Sequence, residues 1–308
     1  AEKLPARPAA ISFAFPGPAD YPNGIIGDLQ NLPGFRGGVP LKGILEHQFG
    51  IPVFINNDGD LFAYGEALGG ALPLINQKLE QAGSPKRYRN LVGFTLGTGF
   101  GAGIVRNEEL FLGDNSIAAE VWITSHRYDS TANAEELVSI RAVQRAYAEL
   151  AGVDLASYSP KDIYEIATGQ QDGNTQAARQ AYARVGRHIG DSVANLLSLV
   201  DGIGVIGGGI TGARELYMPA LMDELQGHFT TKNGERLGRM AQQVYNLDDN
   251  AQWGPFAQNR AKQIPVPGTG QAVPYETQPR LAVMTSTLGA SKAIATGAYA
   301  YALKQLGA

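Results

Sequence analysis

The sequence predicts an α/β protein whose mostly parallel sheet is covered by helices on both faces. Three observations carry that expectation. Short apolar runs alternate along the chain with longer segments of helical spacing. Glycine clusters follow several of the runs, at the strand ends where ligands collect in open α/β sheets. The length, 308 residues, suits two lobes of about 150 residues each.

In chain order, residues 10–15 form an apolar run that Pro16-Gly17-Pro18 ends, a buried strand and its turn. A loop with Gly27, Asn31, Pro33 and Gly34 follows. Residues 41–49 have helical spacing, and 52–55 form another short buried strand. Asn56-Asn57-Asp58-Gly59-Asp60 separates that strand from a helical stretch over 61–68. Asx residues favour such a position because their side chains cap free N–H groups, with Asp58 or Asp60 the candidate cap. Residues 71–90, polar and containing Gly83, Ser84 and Pro85, read as a boundary. The second set opens with a strand at 91–96, a glycine-rich turn and a strand at 102–105. Arg106-Asn107-Glu108 then turns the chain into 110–112. Helices are expected at 134–151, 160–168 and 174–200. In the last, Val185, Ile189, Val193, Leu196 and Val200 recur at steps of three or four and make one apolar face. A strand at 204–206 runs into Gly207-Gly208-Gly209 and another helix. Residues 229–280 are polar, rich in Gln, Asn, Gly and Pro, and show no organisation. A strand at 281–285 and a helix from Leu288 close the chain.

Composition removes several classes of function. Hydrophobic residues at 44% and charged residues at 18% describe an ordinary globular chain. A net charge of -4 lacks the basic face that nucleic acid requires. With no cysteine, disulfides and thiolate metal sites are excluded, which fits a reducing compartment. No apolar run reaches the ~18 residues that span a bilayer, and the first residues resemble neither a signal nor a transit peptide. A cytoplasmic protein with no membrane or nucleic-acid partner is expected.

Three clusters can carry chemistry. In Gly97-Thr98-Gly99-Phe100-Gly101-Ala102-Gly103, glycine at alternate positions removes every Cβ on one side, so backbone N–H groups can close around phosphate oxygens. The alternative is a glycine-rich hairpin with no ligand. The second cluster, Asn57-Asp58, stands at the C-terminal end of a buried strand. A carboxylate there can take the proton of an attacking hydroxyl while the amide holds a neighbouring one; the alternative is helix capping by Asp58 or Asp60. Gly207-Gly208-Gly209-Ile210-Thr211-Gly212 matches G-x-G-x-x-G between a strand and a helix, so an NAD(P)-binding oxidoreductase must be weighed. Against it, Asp223 and Glu224 fall within the following helix instead of after a second strand. Glu120, Glu135 and His126, taken alone, read as surface residues.

Together, and in this order, the clusters resemble the ROK (repressor, open reading frame, kinase) family. Residues 11–18 look like its strand ending in Pro-Gly-Pro, and Asn31-Leu32-Pro33-Gly34-Phe35 is similar to its sugar-side Asn-Leu-Pro-Gly-Trp loop. Asn57-Asp58 matches its Asn-Asp pair, which implies Asp58 as catalytic base and Asn57 as a sugar ligand beside Asn31. Ala118-Ala119-Glu120 is similar to Ala-Gly-Glu, and Glu135 falls four residues before Ser139, as in Gly-Cys-x-Glu-x-x-x-Ser. Both glutamates are thereby implied as sugar ligands. Gly97, Thr98, Gly99 and Gly101 resemble a phosphate loop, and Gly207, Gly208 and Gly209 the adenosine motif. The resemblance implies the actin-like ATPase (ribonuclease H-like) fold, two-lobed, with the active site in the cleft between lobes. Residues 1–72 with 288–308 would form the small lobe and 73–287 the large one. It further implies ATP and Mg²⁺, a hexose or N-acetylhexosamine substrate, and a homodimer.

Three departures accompany it. Ile123 stands where the family's Glu-x-Gly-His has histidine, and the zinc-binding cysteines are absent, so no structural zinc is expected. His126 is a candidate to replace the lost sugar contact. The Asp-x-Gly-Gly-Thr loop that usually opens the family is missing, which suggests that the sequence omits a natural N-terminal segment. A sugar-sensing regulator and a catalytically degenerate sugar-binding protein remain the alternatives to a kinase.

Overall fold

The computed structural model describes residues 7–29 and 32–307. Asn31, expected beside the sugar, lies outside the described residues.

Strands Ile11–Ala14 and Val53–Asn56 pair in parallel, with Ile11 opposite Val53 and Ala14 opposite Asn56. The main sheet has six strands in the order Gln243–Asn246, Arg280–Thr285, Ile203–Gly207, Asn90–Leu96, Phe100–Arg106 and Glu109–Phe111. Its first four strands are mutually parallel, and the last two add by antiparallel hairpins. The expected mostly parallel sheet is present, with two antiparallel strands added at one edge. The glycine turn at 97–99 and the Asn107-Glu108 turn are both too short for a crossover, so the chain folds straight back. Asn107 and Glu108 take φ of 51° and 65°, the twist that a tight hairpin needs.

Side chains alternate across this sheet as a two-residue period requires. Val92, Phe94, Leu96, Ile206, Leu281 and Val283 join one core, beneath helices Ile140–Ala151, Pro160–Thr168, Thr175–Val200 and Arg214–Leu225. Leu91, Val205, Ala282 and Met284 join the other, beneath helices Asp58–Gly69, Ala71–Gln81, Asn250–Ala257 and Ala290–Gln305.

Helix Asp58–Gly69 is pressed between the sheet and the closing helix by missing side chains. A Cβ on Gly103 would stand 2.6 Å from the Gly59 carbonyl oxygen, and one on Gly93 2.8 Å from Ala63. On the opposite side, Gly65 and Gly297 would strike the backbone of Ala293 and Leu61. Phe54 and Tyr301 meet edge to face at 6.1 Å, seating the closing helix on the first pair of strands.

Three expectations need correction. Residues 71–81 are a helix, because Leu72, Ile75 and Leu79 recur on one buried face despite the polar residues between them. The helix expected over 134–151 breaks at Ser139, whose ψ of 167° frees the Ile140 N–H to donate to the Gly97 carbonyl. The unorganised stretch holds two exposed hairpins, His228–Thr230 with Arg236–Gly238 and Lys262–Pro265 with Ala272–Tyr275, flanking an edge strand and a helix.

Candidate active site

Strand Val53–Asn56 delivers Asn57 and Asp58 to the start of helix Asp58–Gly69. The cap is Asn57 and neither of the expected aspartates: its Oδ1 accepts from the Gly59 N–H at 2.7 Å. Asp58 Oδ1 shares that donor at 2.9 Å, in the first turn, where the helix dipole favours a negative charge. Tyr21 fixes Asn57 from behind. Its hydroxyl donates to the Phe15 carbonyl at 3.0 Å and accepts from Asn57 Nδ2 at 3.3 Å. The Pro16-Gly17-Pro18 turn makes room, since a Cβ on Gly17 would sit 2.4 Å from that hydroxyl. Burial, and then the nearby carboxylates, hold the Tyr21 phenol protonated.

The first glycine loop ends strand Asn90–Leu96, with Thr98 and Gly99 exposed at its tip. Space around Gly97 is open, a Cβ there meeting nothing within 4 Å. Glu135 grips the loop: its Oε2 accepts from the Phe100 N–H at 3.1 Å, and a Cβ on Gly99 would lie 2.9 Å from the same oxygen. Gly101 is equally confined, by Thr95 Oγ1 at 2.7 Å from a built Cβ.

The second glycine loop stands beside the first. Gly207 pairs with Thr95 in parallel register, and Gly208 has φ of 95° with room for no Cβ, which would fall 2.2 Å from the Leu96 carbonyl oxygen. Gly209 opens the single helical turn Gly209–Ala213. The first turn of helix Asp58–Gly69 meets the same hairpin, a Cβ on Gly59 coming to 3.0 Å from the Ala102 carbonyl oxygen. Asn57, Asp58 and both glycine loops therefore gather at one end of the sheet.

Glu120 precedes the turn Val121–Ile123, and its carboxylate accepts a hydrogen bond from Trp122 Nε1. Its charge reaches both Tyr21 and Asp60. Ala119, just before it, has φ of 60°, a conformation that disfavours any Cβ. Asp60, a candidate cap in the sequence, lies inside the first turn of the helix instead. It is buried, its Oδ1 has no partner among the described residues, and burial, then Glu120 and Asp58, push its carboxyl up to about 8.

Two other residues differ from expectation. His126 is buried instead of on the surface, and both ring nitrogens are engaged: Nε2 with the His188 carbonyl at 3.0 Å, Nδ1 with the Tyr128 N–H at 3.3 Å. It has no nitrogen left for a sugar. Glu66, unremarked in the sequence, is completely buried and binds Ala71, Ser286, Thr287 and Leu288. Its signal was a lone acid in the apolar run Leu61–Leu68. The dinucleotide alternative fails on topology. After Gly207–Gly212 the chain passes through a helix and an exposed hairpin, and the next sheet strand, Gln243–Asn246, lies beyond Arg280–Thr285 and is not a neighbour of Ile203–Gly207.

Comparison with known proteins agrees with this arrangement. The ROK family model matches residues 1–257, and the chain belongs to the ROK family. It superposes on a glucokinase from Parabacteroides distasonis with a TM-score of 0.90 and 50% identity, covering 98% of this chain and 83% of that one. A glucokinase from Thermotoga maritima is 28% identical over 70% of this chain and 68% of its own. A xylose repressor from Caldicellulosiruptor bescii is 26% identical over 72% of this chain and 56% of its own. The chain spans between 32% and 68% of the length of several curated relatives that it matches. The fold is the two-lobed actin-like ATPase fold.

Proposed function

We propose that this protein transfers the γ-phosphoryl group of ATP to a hydroxyl of a hexose or N-acetylhexosamine. The observation that carries the reading is the placement of Asp58, in the first turn of a buried helix that abuts the glycine hairpin. The glucokinases from Parabacteroides distasonis and Thermotoga maritima support it.

Asp58 takes the proton as the sugar oxygen bonds to the γ-phosphorus. The bond from that phosphorus to the bridging oxygen breaks, and ADP leaves. Asn57, Glu120 and Glu135 hold sugar hydroxyls, with Asn31 assigned to the same task by resemblance. Amides of Thr98 and Gly99 at the loop tip receive phosphate oxygens, the Gly97 N–H being given to the Gly99 carbonyl at 3.0 Å and Gly101 pairing with Thr95 in the ladder, and Gly207–Gly209 form a platform for the nucleoside. The open space at Gly97 suits a bulky anion there, while Gly208 lets the second loop pack on the Leu96 backbone. Mg²⁺ fits the chemistry of the site, because Asp58 and Glu120 bring two carboxylates, whose field Asp60 feels, to where a nucleotide's phosphates would add more negative charge. Bound with ATP, it would neutralise the developing phosphoryl charge.

Residues 1–72 with 288–308 are taken as one lobe and 73–287 as the other. Glu66 then binds both crossings between them, at Ala71 and at Ser286–Leu288. Release of ADP, measured with Mg²⁺–ATP across a panel of hexoses and N-acetylhexosamines, tests the reading. Release that depends on one sugar upholds it. Sugar binding without release from any member transfers the assignment to a sensor.

A further inference from the structure

Glu120 and Glu135 are the two ends of one segment: Val121 and Ala134 beside them join the core, but little apolar packing holds the hairpin between. The hairpin Ser125–His126 with Asp129–Asn133 is largely exposed, apart from His126. What fixes it is polar and, at His126, Asp191, Glu224 and Arg239, buried, with Arg127 and Tyr128 exposed. His126 Nε2 donates to the His188 carbonyl at 3.0 Å and faces Asp191 Oδ2 at 3.7 Å, while His188 Nδ1 reaches back to the Leu137 carbonyl at 3.1 Å. Arg239 clamps the far side of Asp191, with 2.9 Å contacts to Asp191 Oδ1 and Asn195 Oδ1. Glu224 closes the set. It pairs with Arg127 at 2.9 Å, faces Arg239 Nε at 3.5 Å and accepts from the Tyr128 hydroxyl. Two acids and two arginines balance, so no charge is stranded. Yet such a buried ionic set contributes little net stability compared with apolar packing of the same volume. Its directional bonds specify one position of the hairpin against helices Thr175–Val200 and Arg214–Leu225.

We propose that this network, through His126, Asp191 and Arg239, positions the Glu120 and Glu135 carboxylates for the sugar. These three are positioning residues, and the inference rests on the sugar-kinase reading above. Both ends of the segment transmit the constraint. Trp122 bonds Glu120 directly, and the Ala134 N–H donates to the Thr124 carbonyl at 3.0 Å, locking the base of the hairpin beside Glu135. A displacement of about 1 Å at such groups is enough to lose a large factor in rate or affinity.

The test compares His126→Ala with His126→Gln, whose amide can still donate to the His188 carbonyl, in the full chain. The expected result is a sugar KM raised about tenfold or more in the alanine variant, with kcat and the KM for ATP little changed, and recovery of most of the loss in the glutamine variant. Should His126→Ala not fold, Arg239→Lys, which keeps the charge but not the paired hydrogen bonds, carries the same expectation. A lowered melting temperature with an unchanged sugar KM overturns the proposal, since a merely structural network would do only that. If the wild type binds sugar without transferring phosphate, the kinase reading fails but the same comparison of sugar Kd decides this one. If it binds no sugar, the proposal is overturned with it.

Discussion

Glu66 accepts a hydrogen bond from the Leu288 N–H at 3.1 Å, joining two residues far apart in sequence at the point where the chain enters its closing helix. The same carboxylate takes the Ala71 N–H at 2.8 Å and the hydroxyls of Ser286 and Thr287. A buried carboxylate with no cation beside it among the described residues is tolerated here because four donors satisfy it. Glu66→Ala leaves all four unpaired, and the expected cost is about 3 kcal/mol or more. Urea unfolding of wild type and variant measures it. A loss near zero would mean that water replaces the carboxylate freely.

Ala119 predicts a gain instead of a loss. At φ of 60° its Cβ is strained, and glycine removes the strain. Ala119→Gly should stabilise the protein by up to about 1 kcal/mol, less the extra entropy that glycine gives the unfolded chain. A melting temperature below wild type would show that the unfolded-state term prevails.

Asp60 should make stability depend on pH in a definite direction. Its carboxyl ordinarily titrates at 3.8 and is raised to about 8 in the fold, by burial first and then by Glu120 and Asp58. The folded state keeps a proton that the unfolded chain releases, so this contribution is complete below pH 4 and is lost as pH rises to about 8. Asp60→Asn removes the dependence. The variant's stability relative to wild type should therefore climb across that window, by at most roughly 1.4 kcal/mol per pH unit. A flat difference from pH 5 to 8 would contradict the account.

His188 acts in the opposite sense. Burial lowers it from 6.5 to about 4, against the raising effect of the Leu137 carbonyl. The unfolded chain takes up a proton first, so stability is complete above pH 6.5 and is lost as pH falls toward 4. His188→Gln, which can still donate to Leu137, should lose less stability than wild type over that range in thermal melts. Equal acid sensitivity of the two proteins would exclude His188 as the cause.

How much of this was legible in the sequence depends on whether the signal was local. The glycine loops, Asn57-Asp58 and the long helix Thr175–Val200 announce themselves within a few residues, through spacing or a bare backbone. Asp60 and His126 do not, and Glu66 shows only as a lone acid in an apolar run, because the burial of all three is created by segments distant in the chain. Asp60 is covered by the sheet, Glu66 by Ser286–Leu288 and His126 by helix Thr175–Val200. Hairpins such as Lys262–Pro265 with Ala272–Tyr275 escape for another reason. All their residues are exposed, so no face is buried and no alternation arises to be read. The helix Ala71–Gln81 was hidden by Asn76, Gln77 and Lys78, which mask a three-residue apolar stripe.

The central claim is that Asp58 takes the proton of an attacking sugar hydroxyl. Its most direct test is kcat for ADP release by Asp58→Asn beside the sugar Kd of the same variant, measured by calorimetry. The account predicts a fall in kcat of about 10²–10⁴-fold with sugar binding largely kept. Turnover near the wild-type rate would remove Asp58 from the role.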